Sequence, residues 1–184
     1  MPTSDILSLP AWARISDARR AHVERVAALL SEWGDAMAVG QLELDRWRRA
    51  AVLHDAVKDA PRSFLREIAP DAWGLDKLRH GPAAAELARR HGERDEGVLD
   101  AVRYHSVGYA RWDRVGRMLY MADYLEPGRR HQPAEIGGLA HKVPSDPDGA
   151  LCAVARVRVG YHLSRGHPLL PETVAFWNGL ACDE

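Results

Sequence analysis

The chain has 184 residues, of which 46% are hydrophobic and 28% charged, and this length suits one well-buried domain better than two. A net charge of -1 gives no general attraction to nucleic acid or to an anionic lipid surface. Two cysteines are too few for a thiolate zinc site or a disulfide framework. We find no long apolar run and no leader-like start, so we expect a cytoplasmic protein without a membrane span.

Periodic apolar residues and helix-end signals predict an all-α fold. Ser16 and Asp17 offer an N-cap for a helix through about Trp33, which Gly34 should stop. Further helices are predicted over Gln41 to Asp59, Ser63 to Ile68, Gly81 to Arg90, Asp95 to His105, Asp113 to Tyr124, Gly149 to Leu163 and Pro171 to Leu180. The segments Pro70 to Lys77 and Arg129 to Pro147 are predicted to be irregular. Because no useful alternating strand pattern occurs, we expect a single-domain helical bundle with a core at about 18–165 and a last helix at about 171–180.

Polar residues occupy inward-facing positions of several predicted helices. On the helix that begins at Gln41, Trp47 and Ala50 lie on one stripe with His54 and Lys58, and Asp55 follows His54 directly. Buried charge is costly unless it is paired or bound to a metal ion, so these side chains need partners. Comparable positions, where a helix begins, ends or faces inward, are held by His22, His80, His105 and Asp123. The recurrence predicts that they share one site.

Imidazole and carboxylate ligands without thiolates favour manganese, iron, cobalt or zinc over magnesium or calcium. If the ligands do not fill the coordination shell, water at such a metal can be activated near neutral pH. Lys58 and the pair Arg129-Arg130 supply positive charge suited to phosphate oxygens. Together these features predict hydrolysis of a phosphate ester or a phosphoanhydride.

The residues also match known motifs. The order His22, His54-Asp55, Asp123 resembles the metal signature of the HD superfamily of phosphohydrolases. Four longer matches resemble the YqeK family, HD-domain hydrolases that cleave diadenosine tetraphosphate symmetrically into two ADP. They are Leu-His-Asp-Ala-Val-Lys-Asp from Leu53, His80-Gly81-Pro82, Arg103-Tyr104-His105 and Ala122-Asp123-Tyr124-Leu125-Glu126-Pro127-Gly128-Arg129. The resemblance spans roughly His22 to Asn178 and implies an HD-type helical bundle.

The resemblance implies roles for individual residues. The implied metal ligands are His22, His54, Asp55 and Asp123. Nucleotide-phosphate contacts are implied for Lys58, His80, His105 and Arg129, and His22 is counted with them as substrate-binding. The catalytic group comprises Asp55, Lys58, His80 and His105. Iron is the implied metal, as one or two ions, and manganese, cobalt and zinc are alternatives. His80 and His105 could instead bind a second ion. Ser106-Val107-Gly108 departs from the family's Thr-Thr-Gly, which bears on substrate detail.

Several alternatives stay open from the sequence. The expected partner is a dinucleoside polyphosphate or another nucleotide, with neither nucleic acid nor membrane, and a homodimer is an open possibility. A different HD hydrolase could act on nucleoside monophosphates or on guanosine tetraphosphate. A non-catalytic module could bind metal and sense a nucleotide. Each polar residue also has a structural alternative, because His and Lys at a helix C-terminus can stabilise its free carbonyls.

Overall fold

A computed structural model describes residues 8–73, 75–128 and 138–180. All regular structure in these ranges is helical, which confirms the all-α prediction. The helices are α1 (Asp17–Ala36), α2 (Gln41–His54), α3 (Arg62–Ile68), α4 (His80–Arg90), α5 (Glu96–Tyr104), α6 (Arg114–Leu125), α7 (Leu139–Lys142), α8 (Pro147–Ser164) and α9 (Pro171–Gly179), with a 3-10 turn at Asp76–Leu78. Among the described helices, none is both long and apolar enough to cross a membrane.

Four helices begin where an acidic or hydroxyl side chain caps them. Ser16, Asp95, Asp113 and Asp146 each accept a hydrogen bond from a backbone N–H in the first turn of the following helix. Such caps satisfy donors that have no partner within the helix. These contacts confirm the start of α1 predicted from Ser16 and Asp17.

Two predicted helix ends are wrong. Helix α1 continues past Gly34 to Ala36, because Gly34 is buried where α1 meets α2. A Cβ atom at Gly34 would lie 2.6 Å from Leu44 Cδ1, so this glycine permits close packing and does not end the helix. Helix α2 ends at His54 and not at Asp59, because Asp55 leaves helical geometry with φ -112° and ψ 12°.

The predicted irregular segment from Arg129 to Pro147 contains a helix that the sequence did not indicate. Its residues 129–137 lie outside the described ranges, while α7 covers four residues, Leu139–Lys142. Helix α8 then begins at Pro147, two residues earlier than predicted, because Asp146 caps it and proline suits a first helical turn.

Helix α2 lies at the centre of the bundle, where it packs against α1, α4, α5 and α6. Its residues Trp47, Ala50 and Ala51 are fully buried in the main hydrophobic core. Burial of a large apolar side chain stabilises a fold by about 1.5–3 kcal/mol, so this contact fixes the axis of α2 firmly. The C-terminal end of α2, at His54, is therefore held among the surrounding helices.

Helices α4 and α5 approach each other closely at Gly81. A Cβ atom at this position would lie 2.7 Å from the backbone oxygen of Arg103 and 3.0 Å from that of Val102. Neither oxygen can move without moving α5. Gly81 therefore sets the spacing of α4 and α5 next to His80 and His105.

Substitution of Gly81 by alanine should test this close approach. Because the added methyl group would meet backbone atoms, we expect Gly81→Ala to lower the free energy of unfolding by about 1–3 kcal/mol, measured by urea denaturation. The matched control is Gly160→Ala in α8, where a Cβ atom would have no described residue outside its own helix turn within 4 Å. This control should raise the free energy of unfolding by about 0.5–1 kcal/mol. Wild-type stability in Gly81→Ala would contradict the packing argument.

Candidate metal centre

The structure brings together six of the predicted site residues from five helices, five of them at a helix end and His22 from the second turn of α1. His22 projects inward from α1, His54 ends α2, His80 begins α4, and Asp123 lies in the last turn of α6. Asp55 and His105 are the C-cap residues of α2 and α5. All of them are at most 6% exposed: His22, His54, Asp55, His80, His105 and Asp123. Helix ends can bring these side chains together because the chain turns away immediately beyond them.

A first group of ligand atoms comes from His22, His54 and Asp123. The Nε2 atom of His22 lies 3.3 Å from His54 Nε2 and 3.2 Å from Asp123 Oδ1. Asp123 Oδ1 lies 3.9 Å from His54 Nε2. Three ligand atoms on three helices therefore converge within the 4.8 Å that one metal ion can span.

A second group comes from Asp55, His80 and His105. Asp55 Oδ1 lies 3.2 Å from His80 Nε2 and 3.6 Å from His105 Nε2. The two Nε2 atoms are 3.0 Å apart. These three atoms also converge closely enough to hold one ion.

The backbone fixes the tautomer of three of these imidazoles. The Nδ1 atoms of His54, His80 and His105 lie 2.7 Å, 3.0 Å and 2.8 Å from the carbonyl oxygens of Ala51, Lys77 and Val102. A carbonyl only accepts, so Nδ1 carries the proton and the neutral ring presents an Nε2 lone pair. The Nε2 lone pairs of His80 and His105 then face each other and repel. A cation bound by both nitrogens would remove this repulsion.

Asp55 connects the two groups. Its Oδ2 lies 3.7 Å from the Nε2 atoms of both His22 and His54, and it accepts a hydrogen bond of 2.9 Å from Arg19. Its Oδ1, which faces His80 and His105, is buried and makes no hydrogen bond to any residue that the structure describes. A buried carboxylate oxygen without a hydrogen bond is costly, so this atom fits a metal ligand.

Burial and charge set protonation states that suit metal binding. Burial is the main cause that lowers the pKa of His54 to about 4 and that of His80 to about 4. Burial alone would raise the pKa of Asp55, but electrostatic interaction with the neighbouring imidazoles, led by His54, holds it well below its usual value. At neutral pH the two histidines are neutral and the aspartate is ionised, as ligands must be.

Two further residues contact the clustered side chains, and neither was predicted from the sequence to have a role. Glu126 is 2% exposed, lies 3.2 Å from His22 Nδ1 and accepts hydrogen bonds from Arg25 and from the backbone of Gly128. Arg19 holds Asp55 Oδ2. Arg19 lies three residues before His22, and Glu126 lies three residues after Asp123. Residues at this spacing are neighbours on a helix surface, so the spacing could have indicated from the sequence that both lie near the site.

Cations border the cluster, although not all as predicted. Lys58 Nζ lies 3.0 Å from His80 Nε2, which places Lys58 at the site. It reaches there from the turns that follow α2 and not along a helical stripe, since α2 ends at His54. Arg129 lies outside the described residues. Arg158 of α8, which the sequence analysis did not single out, has Nη1 3.8 Å from Asp123 Oδ2.

Comparison with known proteins identifies a family whose model covers this cluster of residues. The HD domain family model matches residues 19–128, which include all six clustered residues. The symmetrical bis(5'-nucleosyl)-tetraphosphatase of Bacillus subtilis is 31% identical over 140 residues, covering 71% of this chain and 74% of that protein. The protein of the same name from Halalkalibacterium halodurans is 27% identical over 143 residues, which cover 73% of this chain and 75% of that protein.

A solved structure shares the fold. A protein of Clostridium acetobutylicum described as a predicted HD superfamily hydrolase involved in NAD metabolism superposes with a TM-score of 0.78 at 24% identity, and the match covers 90% of both chains. The family model spans well over half of the chain, and the Bacillus subtilis relative aligns over more than two thirds of it. This chain therefore belongs to the HD-domain family of metal-dependent phosphohydrolases and is an enzyme related to the symmetrical bis(5'-nucleosyl)-tetraphosphatases.

Proposed function

We propose that the chain hydrolyses diadenosine tetraphosphate symmetrically into two ADP. The observation that carries this proposal is the buried cluster in which Asp55 joins two ligand groups beside the cation Lys58. The activity for which the Bacillus subtilis and Halalkalibacterium halodurans relatives are named supports the choice of substrate. In this reaction water adds across the central phosphoanhydride, and the bridging oxygen leaves with one of the two ADP molecules.

Two ions fit the ligand geometry. One would be held by His22, His54 and Asp123, the other by His80 and His105, with Asp55 offering one oxygen toward each group. Bound ions would supply Lewis acidity and a lowered pKa for water. Iron is the proposed native metal, as the resemblance to the YqeK family implies, and imidazole and carboxylate ligands would suit manganese, cobalt or zinc as well. A single ion, with His80 and His105 contacting phosphate, is the competing arrangement.

The residues of the chain perform the remaining tasks. Arg19 and Glu126 hold Asp55 and His22 in place, so the ligands need little rearrangement during the reaction. Lys58 would contact the phosphate oxygens, on which negative charge grows as the anhydride breaks. A cation fixed at that position stabilises the transition state more than the bound substrate.

Product analysis tests the proposed reaction directly. Diadenosine tetraphosphate incubated with the metal-loaded protein should give ADP alone, measured by ion-exchange chromatography. ATP and AMP in equal amounts would show that a different anhydride bond breaks. Faster release of phosphate from AMP, or faster hydrolysis of guanosine tetraphosphate, would favour another HD activity. Stoichiometric nucleotide binding without turnover would favour a sensor.

The ligand assignment predicts a loss of metal in Asp123→Asn. Replacing an ionised ligand by an amide should reduce bound metal and lower activity by at least about 10–100-fold, while the circular dichroism spectrum stays helical. The control is Asp148→Asn, because the Asp148 side chain is 85% exposed on the first turn of α8. Full metal content and full activity in Asp123→Asn would remove Asp123 from the ligand set.

Loss of the Lys58 cation should affect turnover more than binding. By the scale for a removed electrostatic donor, Lys58→Met should lower kcat by about 10²–10³ with unchanged metal content. Lys142→Met, on the exposed end of α7, is the matched control and should behave as wild type. If Lys58→Met turns over the dinucleotide at the wild-type rate, Lys58 is only a solvated cation.

The buried neutral histidines predict how pH affects the metal-free protein. Because the pKa values of His54 and His80 fall from 6.5 to about 4 on folding, the unfolded chain binds more protons between these values. Stability should therefore fall as the pH falls from 6.5 to 4, by roughly 3 kcal/mol per histidine. The pKa of His22 is raised above 6.5, because its bonds to Asp123 and Glu126 outweigh burial. His22 therefore changes the free energy of unfolding above pH 6.5 and not between pH 4 and 6.5.

Urea denaturation of chelator-treated protein at pH 6.5 and 4.5 measures this effect. His80→Gln should remove about half of the loss, since two histidines contribute. His141→Gln, at an exposed position of α7, should leave the loss unchanged. Equal stability of the wild type at both pH values would show that these histidines are not buried as neutral groups.

A further inference from the structure

A cysteine of α8 lies close to the end of α9. Cys152 is half-buried and takes part in a disulfide bond. Its Sγ atom lies 3.6 Å from the carbonyl oxygen of Leu180. Cys182 is the only other cysteine of the chain and lies outside the described residues, two positions after Leu180. Because consecutive Cα atoms are about 3.8 Å apart, a cysteine at that position is within reach of Cys152 while α8 and α9 stay in place.

Helix α9 depends on its docking against the rest of the bundle. Within α9, Phe176 alone is buried, and its ring packs edge-on against Trp112 and Tyr120. The helix has nine residues, and an isolated helix of this length is marginal in water. One buried side chain is a small anchor for a chain end. A covalent bond just beyond α9 would keep the helix docked.

Docked α9 covers the backbone that follows His105, a member of the second ligand group. Thr173 Oγ1 donates a hydrogen bond of 2.8 Å to the backbone oxygen of Val107. Phe176 lies against Gly108, where φ is +89° and where a Cβ atom would overlap the phenyl ring. Release of α9 would therefore loosen the segment that continues from His105.

We propose that Cys152 and Cys182 form a reversible disulfide that holds α9 on α8 and opens on reduction. To close it, one cysteine thiolate attacks a low-molecular-weight disulfide and releases one thiol. The second thiolate then attacks the mixed disulfide, so that the protein S–S bond forms and a second thiol leaves with the remaining electrons and proton. A low-molecular-weight thiol reverses both steps.

The position of the bond suits reversible reduction. Disulfides that solvent can reach are more readily reduced than enclosed ones, and Cys152 is only half-buried. In reducing compartments such bonds are usually transient and redox-sensing. The proposed bond adds redox control of α9 to the protein, whichever substrate its metal centre hydrolyses.

Limited proteolysis measures whether α9 is docked. Chymotrypsin cleaves after aromatic residues, and it reaches Phe176 only when α9 leaves the bundle, because this side chain is 3% exposed. Protein treated with oxidised glutathione should be cut after Phe176 at least about tenfold more slowly than protein reduced with dithiothreitol. The melting temperature of the oxidised protein should be higher by roughly 5–15 °C, because the bond closes a loop of about 30 residues.

Two cysteine variants separate the bond from local packing. Cys182→Ser should be cut at the rate of the reduced wild type, with or without reductant, and Cys152→Ser should behave in the same way. If Cys152→Ser fails to fold because its site on α8 is half-buried, Cys182→Ser decides the matter alone. Titration with Ellman's reagent should find no free thiol in the oxidised wild type and both thiols in the reduced protein.

Three results would overturn the proposal. They are two free thiols after oxidation, a disulfide that joins two chains, and equal cleavage rates for the oxidised and reduced wild type. A protein that closes the disulfide but does not hydrolyse diadenosine tetraphosphate would overturn the proposed function and leave the redox control of α9 in place.

Discussion

The structure depends on one buried carboxylate, that of Asp55. It stands where α2 ends, and its two oxygens face two different sets of imidazoles. The desolvation cost of this charge is offset on one side by Arg19, which donates a hydrogen bond to Oδ2. On the other side Oδ1 makes no hydrogen bond within the described part of the chain, and a cation could serve as the partner of such an atom. The same oxygen atom therefore costs folding free energy in the metal-free protein and offers a candidate metal ligand.

The packing of the helical bundle positions the side chains that surround Asp55. Burial of Trp47, Ala50 and Ala51 fixes α2, and the glycine contact between α4 and α5 fixes the spacing of His80 and His105. Backbone carbonyls then hold the ring protons away from the centre, so the Nε2 lone pairs point inward. The neutral imidazoles of His54 and His80 and the ionised carboxylate of Asp55 can therefore bind a cation with little rearrangement.

The sequence predicted the helices and the six clustered residues, because inward-facing polar side chains at helix ends are unusual and matched family motifs. It failed at Gly34 and Asp59, where tertiary packing and a local cap, not residue propensity, decide the helix ends. Arg158 was missed although it interrupts the apolar stripe of Leu151, Val154 and Ala155, the same signal that identified His54. Arg158 lies far along the chain from the matched motifs, so the sequence did not indicate that it lies close to Asp123 in space.

The central claim is that Asp55 joins two metal ions, and metal counting with an anomalous difference map tests it most directly. A crystal of metal-loaded protein should show two anomalous peaks, one on each side of Asp55, and elemental analysis should give about two ions per chain. In Asp55→Asn both peaks should weaken together, because one side chain serves both groups. A single peak among His22, His54 and Asp123, with one ion per chain, would contradict the shared carboxylate and leave His80 and His105 as phosphate contacts.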